Sequence, residues 1–286
     1  MSTIVTAASG QLGRLVVEAL LARGAAPESV VATSRDVSKL ADLADRGVRT
    51  AELDYTRPDT VAAVIGAGDV VVLVSSDAVG QRVAQHAAVV DAAKAAGAAR
   101  VVYTSAPKAT TSALVLAPEH KATEEHLAAS GVPATVLRNG WYTENYAGEV
   151  ATARESGVVS ASVGDGRVAS ASRRDYAEAA AVAALDDSTA GRVFELSGDH
   201  AWNWDELAEA VAGITGTPVR YESLTPEQHA ERLRGAGLDE GTVGFVVALD
   251  GNIRDGLLAE TSGDLRALIG RPTTPLVEGL RAASAE

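Results

Sequence analysis

The chain has 286 residues, of which 47% are hydrophobic and 22% charged, which suits one large α/β domain or a domain with a smaller lobe and argues against wholesale disorder. It contains no cysteine, so disulfides, thiolate nucleophiles and cysteine-based zinc or iron–sulfur sites are excluded, and its five histidines show no H-x-x-x-H or H-E-x-x-H spacing, so no metal centre is expected. A formal charge of −13 disfavours direct nucleic-acid binding; with no secretion signal and no long apolar run, a cytoplasmic chain outside the membrane is expected.

Met1 to Gly13 reads MSTIVTAASGQLG: a short β-branched run, a small-residue turn, then the start of a helix-period pattern at Leu15, Val16, Leu20 and Leu21. Strand, small-residue loop and helix together place an anion at a helix N-terminus, where unpaired N–H groups and the helix dipole favour it. Gly10 and Gly13 have the spacing of the last two glycines in a G-x-x-G-x-x-G dinucleotide loop, and Ala7 stands where the first would be. Further strands are expected at Ser29–Ser34, Val48–Leu53, Asp69–Val74, Arg100–Thr104 and Pro133–Leu137. Helices should lie between them, including Val79–Ala96, stopped by Gly97, and Pro118–Ala129.

Strands alternating with helices predict a doubly wound parallel sheet, with ligands beyond the carboxyl ends of the strands. Those ends form one rim: Ala7–Gly13, Ser34–Arg35, Asp54–Tyr55, Ser75–Ser76, Thr104–Ser105 and Arg138–Asn145. The second half is less regular. It offers a turn at Gly164–Asp165–Gly166, a helix from Asp175 to Leu185 and a strand at Val193–Leu196. A mainly helical stretch from Asn203 onward should cap the rim, with Trp202 and Trp204 in its core.

Arg35 follows the second strand, where an acid would bond the 2′-hydroxyl of NAD and an arginine pairs with the 2′-phosphate of NADP; strand alternation turns Asp36 away. No tyrosine has a lysine four residues later, so the Tyr/Lys acid–base pair of alcohol–ketone chemistry is missing. His120 and Lys121 read as solvated helix residues, with Glu124 spaced to pair with His120. RNGWYTENY, from Arg138 to Tyr146, is the densest polar–aromatic stretch of a chain with 4% aromatics. Its asparagines and tyrosines suit a carboxamide or quinone oxygen, and Trp141 or Tyr142 suits a flat ring.

TAASGQLG, SSDAVGQR (Ser75–Arg82), YTS (Tyr103–Ser105), LRNGWYTENY and GDGRVASASRRDYA (Gly164–Ala177) occur in that order. LSGDHAW and IGRPTTPL extend the likeness over nearly the whole chain. Together they resemble the NmrA-like branch of the atypical short-chain dehydrogenases, especially the bacterial type 2 NAD(P)H:quinone oxidoreductases. The resemblance implies a Rossmann domain over residues 1–138, with a returning segment at about 158–200. A smaller substrate-covering lobe then takes 139–157 and 201–286, with NADPH and then a quinone in the cleft between them. It implies cofactor contacts at Ala8, Ser9, Gly10, Gln11, Leu12, Gly13, Arg35, Ser75, Ser76, Asn139, Gly140, Trp141, Tyr142, Asn145 and Arg173. Asn139, Trp141, Tyr142 and Asn145 would also position substrate.

An electron-poor quinone takes hydride without a strong general acid, which accounts for the missing Tyr/Lys pair, and no proton donor is assigned. A second reading is an NADP(H)-binding redox sensor that signals through a protein partner; a third is reduction of another electrophilic carbonyl or enone. A homodimer fits any of these.

Overall fold

The computed structural model describes residues 1–285. A seven-stranded parallel sheet is built from β1 (Thr3–Val5), β2 (Val30–Ser34), β3 (Arg49–Glu52), β4 (Val70–Leu73), β5 (Arg100–Ser105), β6 (Ala134–Asn139) and, after three short strands, β10 (Val193–Leu196). The strand order is β10-β6-β5-β4-β1-β2-β3. The crossover direction reverses between β1 and β4, and that switch point is where an open α/β sheet binds ligands.

The strands are near-continuous apolar runs because helices cover both faces. Alternation along β4 sends Val70 and Val72 to one face and Val71 and Leu73 to the other. The first face packs α1 (Gln11–Ala22) and α7 (Arg173–Leu185), whose buried alanines let the two helices approach closely; α11 (Asp264–Ile269) adds Leu265. The second packs α3 (Pro58–Val64), α4 (Arg82–Ala96) and α5 (Ala117–Ser130) through Val61, Val89, Val90 and Leu127. α2 (Ala41–Asp45) is short and follows a 3₁₀ turn at Val37–Leu40. α4 starts later than its periodicity predicts, at Arg82, because Gly80 takes φ of +86°, outside the helical region; its N–H donates to Glu119 on α5 (2.9 Å).

A second apolar cluster lies beyond the rim, around Trp202 and Trp204, with Val150 of α6 (Ala147–Ser156), Leu207 of α8 (Trp204–Thr215), Ile253 of α10 (Glu240–Arg254) and Leu280 of α12 (Leu276–Ala283). α9 (Pro226–Gly235) joins it through His229, which meets Asp250 at 2.7 Å. Two strand pairs outside the main sheet are not revealed by periodicity. β7 (Trp141–Tyr142) pairs with β9 (Ser170–Ala171), and β8 (Val158–Ala161) with β11 (Arg220–Ser223). Two- to four-residue strands are too short to show a period.

The buried Asp175 carboxylate ties the last segment to the sheet. It closes the capping box of α7 and accepts from Thr274 N (2.8 Å), Thr274 Oγ1 (3.0 Å) and Arg271 Nη2 (2.8 Å).

Candidate active site

The turn before α1 keeps its shape without the first glycine. Ala7 takes φ of +51°, one of two positive-φ non-glycine residues among those described, and its carbonyl accepts from Gly10 N at 2.9 Å. That conformation costs an L-residue about 1–2 kcal/mol. The second half of the turn is less tolerant, since a Cβ on Gly13 would lie 2.3 Å from the Ala7 oxygen. No side chain caps α1, and the N–H groups of Gln11, Leu12 and Gly13 find no acceptor among the described residues. Three free donors at a helix N-terminus fit a phosphate.

These donors open into a cleft of about 690 Å³ along the rim over β3, β2, β1 and β4. Ser9 to Gly13, Arg35, Ser75, Ser76, Tyr142, Asn145 and Arg173 all line it. Arg35 has no ion-pair partner among the described residues, unlike its neighbours Arg14 and Arg57. The Asp36 carboxylate turns back to Ser38 N and Oγ (3.1 and 2.6 Å) and stays out of the cleft. Ser34 Oγ joins the two loops by donating to Ser9 Oγ at 2.8 Å.

Asp54, Tyr55 and Thr56 at the end of β3 line the cleft as well, although no motif in their sequence marks them for cofactor contact. The Tyr55 hydroxyl lies 2.5 Å from Thr6 Oγ1 and 2.7 Å from the Val74 oxygen, and burial pushes its pKa up. Bonds from the Thr56 N–H and hydroxyl hold the Asp54 carboxyl below its ordinary value.

At the far end, the Arg173 guanidinium lies 5.1 Å from the centroid of the Tyr142 ring, whose edge packs on Tyr176 (5.2 Å). Asn139 Nδ2 donates to the Tyr142 hydroxyl (3.3 Å), and Asn139 Oδ1 is buried without a partner. Ala8, Asn139, Gly140 and Trp141 do not line this cleft. Ala8 lies beneath the loop with its N–H on the Thr33 oxygen (2.7 Å), Asn139 sits behind Tyr142, and Gly140 faces a separate cavity. Trp141 packs on the apolar cluster of the lobe, because the one-residue alternation of β7 sends Tyr142 inward and Trp141 outward.

Beneath the β4 loop lies a buried network, where helical spacing alone predicts a solvated His120. Ser76 N–H donates to His86 Nε2 (3.0 Å), so the proton sits on Nδ1, facing Thr123 Oγ1 (3.0 Å). Arg82 Nη1 donates to His120 Nε2 (3.1 Å), which leaves Nδ1–H to face the Tyr103 hydroxyl (2.8 Å). Burial, with the positive charge of Arg82 nearby, pushes both imidazoles down to about 3, so both stay neutral. His120 is buried, whereas Lys121 is exposed and faces Glu125 at 4.0 Å. Nor does Glu124 pair with His120. It accepts from Ser105 Oγ (2.6 Å) and forms a bidentate pair with Arg138 (2.9 and 2.6 Å), whose third arm reaches Glu195 (2.7 Å). Helical spacing allows the His120–Glu124 pair, but the arginine on the neighbouring strand is the stronger bidentate partner.

A parallel sheet whose switch-point cleft combines a glycine turn, a bare helix N-terminus and an unpaired arginine defines a dinucleotide-binding α/β protein. The chain belongs to the NAD(P)H-binding family, whose sequence model matches residues 7–188, and it is an oxidoreductase of that family with NADP(H) as its cofactor. It is 40% identical to quinone oxidoreductase 2 of Escherichia coli strain K12 over 276 residues, 96% of each chain. Its fold superposes on the crystal structure of the Escherichia coli NADPH-dependent quinone oxidoreductase complexed with NADPH at a TM-score of 0.93, 40% identity and 99% coverage of both chains. It likewise superposes on the Citrobacter sp. triphenylmethane reductase complexed with NADP(H), at 0.93 and 32% identity, covering 99% of this chain and 100% of that one. No helix among the described residues is long and apolar enough to cross a membrane.

Proposed function

We propose that this protein is an NADPH-dependent reductase of quinones or related neutral electrophiles. The observation that carries the reading is the asymmetry of the 690 Å³ cleft. One end presents free N–H donors and an unpaired Arg35, while the other ends in Tyr142, Asn145 and Arg173 with no acid–base pair. Arg35 would take the 2′-phosphate, the N–H groups of Gln11 to Gly13 the pyrophosphate, and Tyr142 and Asn145 would face the ring end. The bound cofactor supplies a hydride, that is two electrons and one proton, and a second proton from water completes a hydroquinone. The chain's own residues fix reactants at about 3–3.5 Å and keep the neighbouring imidazoles from exchanging protons, so catalysis here is positioning.

Residues 1–138 with the returning segment form the cofactor unit in this reading, and 139–157 with 201–286 cover the substrate. The β8–β11 pairing supports assigning 158–168 to the lobe, so that the return begins near Ala169. Steady-state NADPH oxidation with 1,4-benzoquinone tests the function. Quinone-dependent turnover is expected; saturable NADPH binding with no turnover across a panel of quinones would favour a redox sensor instead.

A further inference from the structure

The rim does not end at β4. A second cavity of about 350 Å³ shares no lining residue with the cofactor cleft, and the carboxyl ends of the next three strands build its wall: Pro107 beyond β5, Gly140 beyond β6, and Leu196–Ser197 at the end of β10. Neighbouring strands lie about 4.8 Å apart, so the two cavities tile one continuous rim. A dinucleotide anchored at Arg35 over β2 and running past β4 therefore points its far end toward the second cavity.

Its chemistry is selective. Ala113, Ala169, Leu257 and Leu258 make apolar walls, and the three charged residues at its edge are already engaged. Lys108 N–H donates to Glu195 (3.0 Å), Glu195 also holds Arg138 (2.7 Å), and the Lys108 ammonium pairs with Glu260. Because Arg138 is shared with Glu124, the cluster sets three carboxylates against two cations, so it offers no free cation to an anionic ligand, and burying an anion there would be costly. Lys108 holds φ of +46°, a strained position for a non-glycine residue, in the loop that crosses above β6. Its ion pair with Glu260 joins that loop to the segment after α10. With both side chains about half exposed (51% and 59%), the pair contributes little to stability.

We propose that this cavity is the acceptor pocket: it receives the ring of a neutral, planar electrophile of one or two fused rings, with Lys108–Glu260 as the latch at its mouth. The proposal rests on the reductase reading for the identity of the electrophile, and on the cavity alone for its location. The test titrates 1,4-naphthoquinone, which cannot turn over with oxidised cofactor, into the NADP⁺-loaded protein by equilibrium dialysis. Ala113→Trp and Thr111→Trp fill the cavity from the loop between β5 and α5, outside any helix or strand. Both should weaken naphthoquinone binding at least tenfold and raise its KM similarly, while the Kd for NADP⁺ stays unchanged. Folded variants that bind naphthoquinone as tightly as the parent, or a parent that binds none, overturn the proposal. Binding that follows the expected pattern without any NADPH turnover upholds the pocket and overturns the reductase reading.

Discussion

The two ends of the rim solve opposite problems with the same elements. Around β1 and β2 the polar groups are left open: three backbone donors, one unpaired arginine and a turn held by a strained alanine. Around β4, β5 and β6 nearly every polar group is closed on another, through Ser76–His86–Thr123, Arg82–His120–Tyr103 and Ser105–Glu124–Arg138–Glu195. Open donors bind an anion; closed networks hold a loop still. One region recognises and the other positions, which is why a search for an acid–base pair finds none.

The sharpest way to break the closed end is Arg138→Ala. It strands two carboxylates whose side chains are only 9% and 30% exposed. Removing one partner of a buried pair costs about 3–5 kcal/mol, which urea denaturation should show. Acid probes the same region. The folded histidines 86 and 120 titrate at about 3 rather than 6.5, so below pH 6.5 the unfolded chain binds protons that the folded one refuses. Stability is therefore intact above 6.5 and falls as pH drops toward 3, by about 4 kcal/mol for the pair between pH 7 and pH 5. Unfolding free energies of His86→Gln should show roughly half that pH slope, since Gln still accepts from Ser76.

The open end responds in binding rather than stability. Arg35→Ala should weaken NADPH about 10- to 100-fold by isothermal titration and leave NADH nearly unchanged; equal losses for both would break the 2′-phosphate assignment. The smallest effect is expected for Ala7→Gly. Relief of the positive φ outweighs the backbone entropy of glycine by up to about 1 kcal/mol, raising the Tm by a few degrees with the loop unmoved.

Much of this is legible in the sequence. The β-branched runs and the glycine after α4 mark the sheet and its covering helices, because burial on both faces leaves a continuous apolar signature. The rim then follows from the strand ends, which bring Arg35, Ser75, Ser76, Tyr142 and Asn145 to one cleft. Side-chain pairing across elements is not legible. Whether His120 meets Glu124 or Arg82, and whether Arg138 is a strand end or a hub, depends on which helix packs over which strand. The strand ends place Tyr55 on the rim, but its partners Thr6 and Val74 are distant in sequence, so its hydrogen bonds are not legible. Trp141 and Tyr142 differ by one residue of alternation in a two-residue strand, too short to phase from sequence.

The buried Asp175 carries one consequence for how the chain is made. Its carboxylate stands at the head of α7, against the first face of the sheet, and three of its bonds come from Arg271 and Thr274. During synthesis, the sheet and most of its helices leave the ribosome before those partners exist. A nascent chain stalled before Thr274 lacks three of the bonds that satisfy that buried carboxylate, so α7 should seat less firmly on α1. Protease resistance of ribosome-bound chains should rise steeply once Thr274 clears the exit tunnel, which makes this late segment the lock on a sheet assembled much earlier.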